Sequence, residues 1–80
     1  MKGTVKMTND NQRVAVLTEY GYTVFDIESG EVALGDVLRG NLDDHGGEEL
    51  FNLTSGERLS VYIEAIQATQ ASAISLLRQR

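Results

Sequence analysis

The chain has no cysteine, no proline and no tryptophan. Without cysteine there is no disulfide and no thiolate metal site, so packing alone must hold the fold. Aromatics are scarce as well: Tyr20, Tyr22, Phe25, Phe51 and Tyr62 are all there are. No stretch approaches the roughly 18 consecutive apolar residues of a membrane-spanning helix. No apolar stretch follows Met1-Lys2-Gly3-Thr4, so no export signal is read there and the expected compartment is the cytoplasm. Positive charge is the remaining shortage. Twelve acids stand against seven bases, for a net charge of −5. Two of the bases, Arg78 and Arg80, close the chain, so residues 1–77 carry −7. A domain that grips phosphates usually has the opposite sign, which argues against strong nonspecific nucleic-acid binding.

What is present is short, alternating and punctuated by glycine. Eighty residues make one domain with a modest core. Val5 and Met7 alternate with Thr4, Lys6 and Thr8, the period of a half-buried strand. Asn9-Asp10-Asn11-Gln12 is a turn. Arg13 to Glu19 and Tyr22 to Ile27 are rich in β-branched and aromatic residues, and complete a three-stranded meander. Further strands are expected over 37–42, with Gly40 marking a bend, over 49–54, and over the segment where Leu59, Val61, Ile63 and Ala65 alternate with Ser60, Tyr62 and Glu64. The composition then turns to alanine, glutamine, leucine and arginine, which favours helix over 68–80. The expected architecture is all-β: a small five- to six-stranded OB-like barrel over 1–67 with a short C-terminal helical tail. Closure would leave few unpaired strand edges. SH3-like barrels share the same strand pattern.

Lys2-Gly3-Thr4-Val5-Lys6 matches the opening strand of a bacterial cold-shock domain, and Asn9 falls where that family has asparagine. Gly35-Asp36-Val37 is similar to the family's turn into its fourth strand, and Gly47 with Leu50-Phe51-Asn52-Leu53-Thr54 to its fifth. Over residues 2–54 the chain therefore resembles the cold-shock family, and the resemblance implies an OB-type barrel. The family's base-stacking residues do not carry over. Met7 and Thr8 stand where the first strand has two aromatics. The first RNA-binding motif aligns with Gln12 to Leu17, and the second with Thr23 to Ile27. Val14, Val16, Val24 and Ile27 replace phenylalanines, Asp26 replaces histidine, and Phe25 takes the place of an inward valine. Stacking supplies about 1–3 kcal/mol per base in single-strand binding. The resemblance thus implies the scaffold more than the activity.

Several groups are candidate sites. Asp43-Asp44-His45-Gly46-Gly47-Glu48-Glu49 gathers carboxylates and the only histidine, but lacks the spacing of an EF-hand and reads as a polar hairpin tip. His45 has no recognisable nucleophile or orienting partner, so an enzyme is not expected. No cofactor or metal site is read from the sequence. Lys2, Lys6, Arg13, Tyr20 and Tyr22 form the candidate nucleic-acid or partner surface. Ala73, Ile74 and Leu77 share a helical stripe that would either cap the barrel or meet a partner. Asn52-Leu53-Thr54 matches a glycosylation sequon by chance. Two readings result: a non-enzymatic OB-type module that binds protein or itself, through an aliphatic face at Val14, Val16, Val24 and Ile27; or a diverged cold-shock-like domain that binds single-stranded nucleic acid weakly. No membrane partner is expected.

Overall fold

A computed structural model describes residues 1–10 and 12–79. The order is β1 (Lys2–Thr8), β2 (Arg13–Thr18), β3 (Gly21–Ser29), β4 (Val37–Arg39), β5 (Gly46–Asn52), β6 (Arg58–Ala68) and α1 (Gln70–Arg78). The six strands close into one antiparallel barrel in the order β1-β2-β3-β6-β5-β4. Two meanders, β1–β3 and β4–β6, are joined because β1 pairs with β4 and β3 with β6. This is the small OB-like barrel with a C-terminal helix that the alternation predicts, at six strands.

Alternation fills the interior. Val5, Val14, Val16, Phe25, Leu38, Leu50, Leu59, Val61 and Ile63 point inward and form the main core with Leu42. Gly3 is needed on β1 because a Cβ there would collide with Val16 Cγ1. Buried Thr23 donates its hydroxyl proton to the Leu42 carbonyl at 2.7 Å, which ties the chain after β4 to β3. β4 is shorter than the 37–42 expected. It stops at Arg39 because Gly40, at φ +151° and packed close to the Leu50 side chain, bends the chain away.

Bulges decide which residues reach the outside. On β1 the register passes from Val5↔Val16 to Met7↔Ala15, so Lys6 is extra and Met7 joins it on the outer surface. On β6 it passes from Ile63↔Phe25 to Ala65↔Val24, so Glu64 is extra. The inward row of Leu59, Val61 and Ile63 therefore does not extend to Ala65. Ala65 faces out, and Ile66 returns to the core.

A second, outer cluster follows. Ala15, Val24 and Ala73 are fully buried together, with Met7, Tyr22, Ala65, Leu76 and Leu77 packed around them. Thr69 caps the helix by accepting the Ser72 N–H, a common N-cap arrangement. Helix α1 thus lies on the outer face of β2 and β3. Of the stripe Ala73, Ile74 and Leu77, Ala73 is buried against this barrel and the other two are half-buried. Arg80 lies outside the described residues.

Candidate functional site

The five residues of the candidate surface do not come together. Lys2 and Lys6 are exposed on β1. Arg13 begins β2, while Tyr20 occupies the turn that follows its far end and is 58 % exposed. The strand between them is about 17 Å long at ~3.4 Å per residue. Tyr22 is half-buried in the outer cluster.

Arg13 is fully engaged. Its Nε and Nη2 donate to the two carboxylate oxygens of Asp26 at 2.8 and 3.1 Å, and Nη1 donates to the Leu76 carbonyl at 3.0 Å. Glu64 lies 4.0 Å from the same guanidinium. The Asp26 hydrogen bonds, helped by attraction to both carboxylates, raise the Arg13 pKa above its ordinary value despite burial. Asn9 Nδ2 donates to the Leu77 carbonyl at 2.6 Å. Two side chains outside the helix therefore bond to carbonyls of its last turn, where the negative end of the helix dipole favours donors. Asp26, which stands where the second motif has histidine, is the partner that neutralises Arg13.

The aliphatic face also resolves differently from the expectation. Val14, Val16 and Ile27 pack in the barrel core, and only Val24 faces outward, beneath α1. Outward positions on β2 are Arg13, Ala15 and Leu17. A one-residue change of parity moves a whole set of side chains to the opposite face. The aligned valines therefore fill the core, and the small Ala15 lets α1 sit close to the sheet.

The opposite side of the barrel is uncovered. Cross-strand register places Lys2 opposite Arg39, Arg39 opposite Phe51, and Phe51 opposite Arg58. One row of three cations and a half-exposed aromatic thus crosses four strands, over about 14 Å at ~4.8 Å per strand. Arg39, Phe51, Arg58 and Glu49 line a shallow depression there. Beside this row lie Thr4 and Val37, with exposed Leu53 held to Val37 by a 2.8 Å backbone hydrogen bond. No acid is within ion-pairing distance of Lys2, Arg39 or Arg58 among the described residues. Residue type alone could not reveal this row, because Lys2, Arg39, Phe51 and Arg58 are joined only by strand pairing.

The acidic loop makes polar contacts with its surroundings. Asp44 and Glu48 accept from the Asn41 amide at 3.0 and 3.4 Å, and Asp43 accepts from Gln67 at 3.1 Å. No three metal-ligating side chains converge there or elsewhere among the described residues. His45 is exposed. Asn52 is fully buried, with Nδ2 donating to Asp36 and Oδ1 accepting from Thr54 and Ser55 N–H groups. As folded, it is closed to glycosylation. No helix is long and apolar enough to cross a membrane. Comparison with protein-family models, curated proteins and solved structures finds no match.

Proposed function

We propose that this chain is a non-enzymatic, OB-type binding module that works by contact with protein, either a partner or a second copy, in the cytoplasm. One observation carries the reading. The outer face of β2 and β3 lies under α1, while the outer face of β1, β4, β5 and β6 leaves Phe51 and Leu53 accessible, with Tyr62 further along β6. Exposed apolar side chains grouped on one face of a small domain favour an interaction surface. The net charge of −5 disfavours polyanions at long range.

A second reading, a diverged cold-shock-like domain with weak affinity for single strands, draws support from the Lys2–Lys6 match and from two exposed lysines on β1. Photo-crosslinking in cells separates the two. A crosslinker at Ser60, on the outer side of β6, should give adducts that resist nuclease and yield to protease, and one at Ser75 on α1 should give few. Nuclease-sensitive adducts at Ser60 would reverse the ranking. Titration of oligo-dT and oligo-U at low salt checks the second reading directly. Amide shifts over β1–β3 that fade with salt would favour it.

A further inference from the structure

From the cation–aromatic row we infer that the partner is an acidic protein segment with an apolar centre, docked across β1, β4, β5 and β6. This inference rests on the protein-binding reading above and specifies its chemistry and place.

Charge is the first support. Acids outnumber bases in this chain, so an arginine could readily find an internal partner, as Arg13 does with Asp26. Lys2 and Arg39 stand opposite each other on β1 and β4, Arg39 and Arg58 flank Phe51, and none of the three pairs with an acid among the described residues. Adjacent like charges repel, so the row lowers its energy when anionic groups come between them.

Shape and polarity give the second support. Phe51 sits within the row of three cations, and Val37 and Leu53 extend the apolar surface along one side of it. Interfaces commonly have an apolar middle with a charged rim, and arginine and aromatics are enriched in them. A nucleic-acid strand fits less well. The row offers one ring for stacking, where single-strand binders use several. Its other apolar members are aliphatic. A short segment can place two or three carboxylates on the cations and an apolar side chain on Phe51. The barrel is closed, so recognition uses the sheet face and not strand addition.

The test uses the full chain and an acetylated, amidated hexapeptide, Glu-Asp-Leu-Phe-Asp-Glu. The neutral peptide Gln-Asn-Leu-Phe-Asn-Gln is its control. Amide and guanidinium shifts should appear at Lys2, Arg39, Phe51 and Arg58 with the acidic peptide, fade with added salt, and be absent with the neutral one. The pair Arg39→Gln and Arg58→Gln should weaken binding about tenfold or more with the melting temperature unchanged, since neither side chain bonds to another among the described residues. Three results overturn the inference: no shift with the acidic peptide, larger shifts at the same residues with oligo-dT, or shifts that depend on protein concentration alone and mark a second copy. Should the peptide fail while Ser60 still crosslinks to protein, the partner chemistry falls and the protein-binding reading stands. If both fail, the reading falls too.

Discussion

Arg13 and Arg39 are the same residue on two sides of one barrel, and they serve opposite ends. Arg13 is held between a carboxylate and a helix carbonyl, with its side chain only 15 % exposed. Arg39 lies on an open face with no partner among the described residues. The two phenylalanines divide in the same way: Phe25 is fully buried and Phe51 is half-exposed. One side of the barrel therefore uses its charge and aromatic surface for stability, and the other holds them available. The contrast predicts which substitutions unfold the protein and which only silence it.

The largest effect should come from the two phenylalanines. Phe25→Ala removes a ring from the main core, at a cost of about 3–5 kcal/mol. Typical domains have only about 5–15 kcal/mol in total, so this variant should be extensively unfolded by circular dichroism. Phe51→Ala should cost about 1 kcal/mol or less and abolish the acidic-peptide shifts. Equal destabilisation of the two would erase the distinction between the sides.

Ala73→Glu tests the covered side next. A charge buried against Ala15 and Val24 has no partner there, and an unpaired buried ion costs several kcal/mol. The helix can escape that cost by leaving the barrel, so the loss is limited to its docking energy. With Leu76 and Leu77 partly buried, that is about 2 kcal/mol on the scale of ~1.5–3 per fully buried leucine. Hydrogen exchange should show α1 unprotected while β1–β6 stay protected. Simultaneous loss of protection in the strands would mean that α1 is integral to the barrel.

Arg13→Ala should have a smaller effect. It forfeits three charge-assisted hydrogen bonds, two of them to a carboxylate, but Asp26 is 35 % exposed and recovers water. A loss of about 1–2 kcal/mol is expected, with α1 fraying at its C-terminal end. Arg39→Ala should fall within about 0.5 kcal/mol. Urea midpoints for the pair measure the difference between the two sides directly.

The barrel was legible because period and turn chemistry are local signals. Alternation at Val5, Leu59, Val61 and Ile63 marks the core, and the tail's composition marks the helix. What stayed hidden depends on register. The extra residues Lys6 and Glu64 reverse parity and cannot be seen without the partner strand. The valines aligned to base-stacking positions divide by simple alternation in a β2–β3 pairing without a shift: Val14 and Val16 are inside and Val24 is under α1. The row from Lys2 to Arg58 joins residues up to 56 positions apart in sequence, and only barrel closure makes them neighbours.

Residues 5, 33–37 and 52–54 meet at one place, which sets up the smallest effect. Val5 exchanges backbone hydrogen bonds with Asp36 and Gly35, at 2.8 Å each. Thr54 Oγ1 accepts from Val37 N–H at 3.0 Å. Asp36 Oδ2 accepts from both Asn52 Nδ2 and Ala33 N–H, at 2.8 and 2.9 Å. Val5, Asp36, Asn52 and Thr54 thus clasp β1, the turn into β4 and the end of β5. The Asn52 bond, then the Ala33 bond, hold the Asp36 pKa below its ordinary value of 3.8. A carboxyl with a depressed folded pKa contributes stability above its unfolded pKa and loses it as pH falls through the folded one. Stability should therefore decline below about pH 4. Asp36→Asn keeps an oxygen for both donors but cannot titrate. The variant should be slightly less stable at neutral pH, and the difference should close on acidification below pH 4, as read from urea midpoints. A gap that stays constant with pH would show that the clasp works by geometry alone, and the acid sensitivity would then belong to other carboxylates.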